Sequence, residues 1–173
     1  MFPAIIKHPL ISCLVILSFI QAEAQTTDRI LLEVGNSRHE FGDYKGAIEA
    51  FTLAIEENPD FALAYNNRGI SRSTTGDDRG AIEDYSRAIE INEKYIHAYL
   101  NRAASRYNLK DWYGAIEDYG KVIELDPENP LGWYGRGISH LQISYFVGAC
   151  PDLQKALELN YHIAQDLLEE HCR

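Results

Sequence analysis

His39, His97, His140, His162 and His171 are the side chains in this sequence best suited to acid–base or metal chemistry. None stands at a spacing that brings a second ligand to it, apart from the adjacent His171-Cys172 near the C-terminus. G-x-S-x-G, a phosphate-binding loop and a recognisable carboxylate pair are all missing from the sequence. Asp and Glu are numerous, but they recur with a fixed period, which marks them as parts of a repeated unit. The residues therefore read as those of a non-enzyme without metal or cofactor. The rival is a metal-dependent enzyme using His97 and His140.

Two further sets of reactive residues have a structural reading. Arg68, Arg102 and Arg136 are each followed sixteen residues later by Asp84, Asp118 and Asp152, whereas the corresponding places earlier in the chain hold Val34 and Ala50. The charges arrive together and vanish together. That pattern predicts three buried or half-buried Arg–Asp bridges rather than separate solvated charges. Cys150 and Cys172 both lie eleven residues from Tyr161, where a turn is expected. In an antiparallel hairpin that spacing sets the two thiols side by side and predicts a disulfide, provided the chain is exported. The alternative is a buried thiol at Cys150 and a stray one at Cys172.

What must position these residues is a repeat. Gly42-Asp43-Tyr44-Lys45-Gly46-Ala47-Ile48-Glu49 returns 34 residues later as Gly76-Asp77-Asp78-Arg79-Gly80-Ala81-Ile82-Glu83. It returns as Lys110-Asp111-Trp112-Tyr113-Gly114-Ala115-Ile116-Glu117, and in worn form as Ser144-Tyr145-Phe146-Val147-Gly148-Ala149-Cys150-Pro151. A period of this length means one supersecondary unit stacked on its copies, each burying what its neighbour exposes. Ala81, Ile82, Tyr85, Ala88 and Ile89 mark one helix face, and Tyr65, Gly69, Ile70 and Ser73 another, with Gly76-Asp77 as the turn and Asp77 as the N-cap. Each unit is thus an antiparallel helix pair. Gly46, Gly80, Gly114 and Gly148, with Gly35, Gly69 and Gly137, are expected where paired backbones approach closely. Pro151, inside the second helix of the fourth unit, should delay or bend that helix.

This pattern resembles the tetratricopeptide repeat from Asp28 to about Ala164. Its signature positions are occupied by Leu31, Val34-Gly35, Ala47, Phe51 and Pro59, then by Tyr65, Arg68-Gly69, Ala81 and Tyr85. The third copy has Tyr99, Arg102-Ala103, Ala115, Tyr119 and Pro127, and the fourth has Trp133, Arg136-Gly137, Ala149 and Leu153. The resemblance implies an all-α, right-handed superhelical solenoid of four helix pairs, at residues 28–61, 62–95, 96–129 and a divergent 130–161, with a capping helix at 162–173. Ile163, Ala164, Leu167 and Leu168 form the apolar face of that cap. The resemblance also implies a concave groove, lined by the first helix of each pair, that takes a peptide or protein segment. On this face fall Asn36, Asn66, Asn67, Ile70, Asn101, Tyr107, Tyr134 and Ile138, which differ from copy to copy while the packing alanines do not. Family members that hold chaperone C-terminal tails use two lysines, two asparagines and an arginine there. Asn36 and Asn67 match the asparagines, but Leu32, His97 and Asn101 stand in the cationic places, so a chaperone-tail clamp is not expected.

The net charge of −10 and the lack of a basic run argue against nucleic acid. Residues 1–24 read as a cleaved signal peptide, with Lys7 and His8 before an apolar run from Leu10 to Ile20 and Ala22-Glu23-Ala24 before the cut. Such a run is shorter than the ~20 residues of a membrane-spanning helix. The chain is therefore expected to be a secreted or periplasmic binding module for a protein or peptide, meeting a membrane only through an envelope partner. The second expectation is a subunit of an envelope assembly, recruited through the end of the stack at Leu31 and Leu32.

Overall fold

The computed structural model describes residues 27–172; the expected signal peptide lies outside them. Among the described residues the chain is all helix. After α1 (27–40) come α2 (Tyr44–Glu57), α3 (Ala62–Thr74), α4 (Asp78–Ile91) and α5 (Ile96–Asn108), then α6 (Trp112–Leu125), α7 (Pro130–Gln142), α8 (Phe146–Glu158) and α9 (Ala164–His171). From α2 onward each helix packs on the next, and α3 with α5 and α5 with α7 also meet. Odd-numbered helices therefore line the inside of a curved stack, and even-numbered helices fan out behind them. This is a solenoid of helix pairs.

The even helices start where an aspartate stops the preceding turn. Asp43, Asp77 and Asp111 accept a hydrogen bond from the backbone N–H of Gly46, Gly80 and Gly114, at 3.0, 2.9 and 3.0 Å. This corrects the expected role of those glycines. A Cβ at any of them would overlap the capping carboxylate, so the space they leave serves the N-cap rather than a paired backbone. In the odd helices a Cβ at Gly35, Gly69 or Gly137 would instead meet Phe51, Tyr85 or Leu153. There the glycine admits a large side chain from the partner helix. Ala47, Ala81, Ala115 and Ala149 are fully buried and let the helices approach.

Each Arg–Asp pair is bidentate across a helix pair. Arg68 Nε and Nη2 donate to Asp84 at 3.0 and 2.7 Å, Arg102 to Asp118 at 2.9 and 2.7 Å, and Arg136 to Asp152 at 2.8 and 2.7 Å. The sequence reading missed a second cation on two of the carboxylates. Arg72 and Arg106 reach Asp84 and Asp118 at 3.0 and 2.9 Å. His140 takes the equivalent place beside Asp152, with Nδ1 at 3.2 Å but off the line of a hydrogen bond. The arginines also tie one unit to the one before, since Nη1 of Arg68 donates to Thr52 and Nη1 of Arg102 to Ser86, both at 3.0 Å. Arg68, Arg102 and Arg136 lie 5.5, 5.6 and 5.1 Å over the rings of Tyr65, Tyr99 and Trp133.

Three expectations change. α8 begins at Phe146, in register with Tyr44, Asp78 and Trp112, and runs through Pro151 without delay. Pro151 lacks the N–H that would bond the carbonyl of Val147, and the helix continues past that gap to Glu158. The cap α9 starts at Ala164, which leaves Ile163 59% exposed before it rather than on its packed face. Leu32 is only 6% exposed and sits in the core with Ala47 and Phe51, and Leu31 packs against that cluster. The exposed apolar residues of α1 are Ile30 and Val34. The Cys150 and Cys172 sulfurs are bonded, with the two Cα atoms 5.7 Å apart, which joins the end of α9 to α8.

Candidate functional site

The inner face of the odd helices has two clefts with different chemistry. The first, of about 210 Å³, lies between α1 and α3 and is lined by Asn36, His39, Glu40, Phe51, Asn67 and Ile70. The second, of about 340 Å³, lies at the far end, where Tyr107 of α5 and Tyr134, Ile138, Leu141 and Gln142 of α7 meet Phe146 of α8 and Leu167 and His171 of α9.

Between the clefts runs a ladder of amides. Asn101 Nδ2 donates to Asn66 Oδ1 at 3.0 Å, Asn66 Nδ2 to Asn67 Oδ1 at 3.1 Å, and Asn67 Nδ2 to Asn36 Oδ1 at 2.8 Å. It joins α5 to α3 and α3 to α1. Asn66 is 4% exposed, so its expected place on the binding surface is corrected: its amide is the ladder's middle rung. Two neighbouring asparagines on one helix point about 100° apart, and only one can face the groove. At the ladder's ends Asn36 Nδ2 remains as a donor and Asn101 Oδ1 as an acceptor, the pair an extended peptide backbone needs.

His39 is fixed by its neighbours. Ser71 Oγ donates to the carbonyl of Asn67 at 3.1 Å, and His39 Nδ1 lies 2.9 Å from that same Oγ. The shared hydroxyl thus ties the His39 ring of α1 to the backbone of α3 at the edge of the first cleft. Ser71 is fully buried, so this contact orients the ring and exposes no nucleophile.

Aromatic contacts hold the second cleft. Tyr134 packs on Tyr161 at 4.8 Å between ring centroids and Tyr107 on Trp112 at 4.7 Å. Burial, then the neighbouring Tyr161 and Tyr107, raises the pKa of Tyr134 above the usual tyrosine value, which keeps the phenol neutral. The cap contributes Leu167 and His171 to the wall, and the ring of His171 lies 6.3 Å from that of Phe146. The sequence reading had α9 only as a solvating end. Its part in the groove follows from the hairpin geometry that also pairs the cysteines.

The remaining histidines serve different elements. His97, at the start of α5, packs edge-on against Tyr95, and His140 lies between Asp152 and Tyr145. Cys172, being disulfide-bonded, offers no thiolate beside His171. Among the described residues no group of three His, Cys, Asp or Glu is placed to hold a metal ion, and no helix is long and apolar enough to cross a membrane.

Two family models match the chain, one described as a tetratricopeptide repeat over residues 33–96 and one as a TPR repeat over 106–144. Together they span more than half of it. No curated protein matches. Among solved structures, the first TPR of Spaghetti (RPAP3), bound to the HSP90 peptide SRMEEVD, is 26% identical with a TM-score of 0.67, over 69% of this chain and 94% of that one. The first TPR domain of human RPAP3 is likewise 26% identical, with a TM-score of 0.66, over 68% and 93% of the two chains. MamA, 23% identical, shares the fold with a TM-score of 0.76 over 86% of each chain.

Proposed function

Because the chain belongs to the tetratricopeptide-repeat family, whose domains generally mediate protein–protein interaction, we propose that its concave face binds a peptide or protein segment and that it acts without catalysis. The observation that carries this reading is the continuity of the inner face. A polar cleft, an amide ladder with a free donor and acceptor, and an aromatic cleft follow one another along α1, α3, α5 and α7. The solved structure with a bound HSP90 peptide supports a peptide as the occupant. That peptide carries two Glu and one Asp. No Lys or Arg lines either cleft here, which argues for a different peptide and against a chaperone-tail clamp.

Cross-linking in intact cells, followed by capture of this chain, tests the reading. The captured partner should fall away with Asn101→Ala or Tyr134→Ala while the melting temperature stays within a few degrees. Ile30 and Val34, exposed on α1, support the second reading, attachment through the end of the stack. Normal capture by the groove variants, with loss in Ile30→Ser/Val34→Ser, would establish it instead.

We also propose export, on the strength of the leader residues and of the disulfide, which needs an oxidising compartment. The purified extracytoplasmic protein should begin at Gln25. An intact Met1 in that fraction refutes cleavage after Ala24.

A further inference from the structure

The accessible charge of this chain differs from its composition in a way that bears on the partner. Arg68, Arg72, Arg102, Arg106 and Arg136 all turn from the odd helices toward the even ones and are bonded there to Asp84, Asp118 and Asp152. Arg38, at the same place in the first unit, donates to the carbonyl of Gly46 at 3.2 Å. The arginines of α3, α5 and α7 are thus held against the even helices; Arg29 of α1 is exposed but lines a separate cleft with Asp28, Asn58 and Phe61, so neither groove cleft has an arginine or lysine in its wall. The net charge is −10, and Glu40 is the formal charge in the polar cleft. A carboxylate entering this groove finds no cation and a repulsive field; a Lys or Arg finds Glu40 and the acidic surface beyond.

The far cleft adds a second selection. Its walls are Tyr107, Tyr134, Ile138, Leu141, Phe146 and Leu167, with their rings already fixed by Trp112, Tyr161 and His171. The Cys150–Cys172 bond fastens the end of α9 beside that wall. An apolar cleft assembled in advance binds a large side chain without the cost of ordering its own walls.

We propose that the groove takes an extended segment of a partner protein carrying one aromatic or branched aliphatic anchor, seated in the α7–α9 cleft, with neutral or basic residues running toward Glu40. This rests on the groove-binding reading and names the chemistry of its ligand. The charge distribution disfavours an acidic tail as the occupant, and the cleft walled by Leu167 and His171 of α9 lies at the α9 end of the groove, which places the anchor near one end of the bound segment.

The test is selection of a displayed random dodecapeptide library against the disulfide-intact mature chain. Recovered peptides should share one Phe, Tyr, Trp, Leu or Ile near one end and be depleted in Asp and Glu elsewhere. Replacing the shared residue by Ala should weaken a synthetic binder roughly tenfold or more, the effect of losing one buried large side chain. Glu40→Lys, an exposed change, should shift the recovered flanks toward acidic residues, and Leu167→Ser, once its helical spectrum matches wild type, should relax the preference for the anchor. Binders rich in Asp and Glu, or binders without a common apolar position, overturn the proposal while leaving groove binding intact. Binders indifferent to Asn101→Ala and Tyr134→Ala, or a library that yields none, refute the groove reading and this inference with it.

Discussion

Removing Asp84 from α4 should cost more than removing either of the arginines it holds, and removing Asp84 and Arg68 together should cost less than removing Asp84 alone. Asp84 is 3% exposed, accepts from Arg68 and is ion-paired with Arg72. In Asp84→Ala, Arg68 is left half-buried with only Thr52 and the Tyr65 ring for company. Breaking a buried pair in this way typically costs about 3–5 kcal/mol. Arg68→Val leaves the carboxylate bonded to Arg72, so about 1–3 kcal/mol is expected. Arg68→Val/Asp84→Ala recreates what the first unit already has, Val34 opposite Ala50 with Arg38 bonded to the Gly46 carbonyl; Arg72 keeps its own bond to the Gly80 carbonyl at 3.1 Å. The double variant should therefore lie within about 1–2 kcal/mol of wild type, a coupling of at least about 2 kcal/mol. Urea unfolding followed by the fluorescence of Trp112 and Trp133 measures all four proteins, with the slope checked for loss of cooperativity between units. Losses that simply add would show that the two side chains act separately and would refute the shared-charge account.

Three other outcomes are expected. Lys110 has φ 63° at the turn position where the first two units have Gly42 and Gly76, so Lys110→Gly should raise stability by about 1 kcal/mol; an unchanged or lower urea midpoint contradicts this. Burial, with Tyr107 and Asp118 nearby, pushes Tyr119 up to about 12, whereas an unfolded tyrosine titrates near 10. Its neutral form is the folded form, so its contribution is complete below pH 10 and about 2 kcal/mol should be lost by pH 12; Tyr119→Phe should make the alkaline melting curve shallower. The disulfide closes a separation of 22 residues, and its reduction should lower stability by about 3 kcal/mol, read as a drop in melting temperature on adding reductant; two alkylatable thiols in untreated exported protein dispose of the bond.

The parts of this molecule that were legible in the sequence are those the stack holds in place. A residue packed between identical units must recur with them, so Ala47, Ala81, Ala115 and Ala149, and the caps Asp43, Asp77 and Asp111, announce themselves by period alone. The Arg68–Asp84 column was legible for the opposite reason, because it fails at Val34 and Ala50. The structure supplies the cause of that failure. Each of these arginines lies against the even helix of the preceding unit, where Arg68 and Arg102 bond Thr52 and Ser86, and among the described residues α1 has no even helix before it. Arg72 and Arg106 escaped notice because their column does not fail there: Arg38 occupies it too, served by a backbone carbonyl when the carboxylate is absent. The groove escaped in part for a related reason. Asn66 and Asn67 are the same residue type at adjacent places, and only the partner supplied by Asn101, one unit along, decides which of them is buried. Position within a unit can be read from a period; the bonds that cross from one unit's variable residue to the next unit's variable residue cannot, and those bonds fix what the groove presents to a ligand.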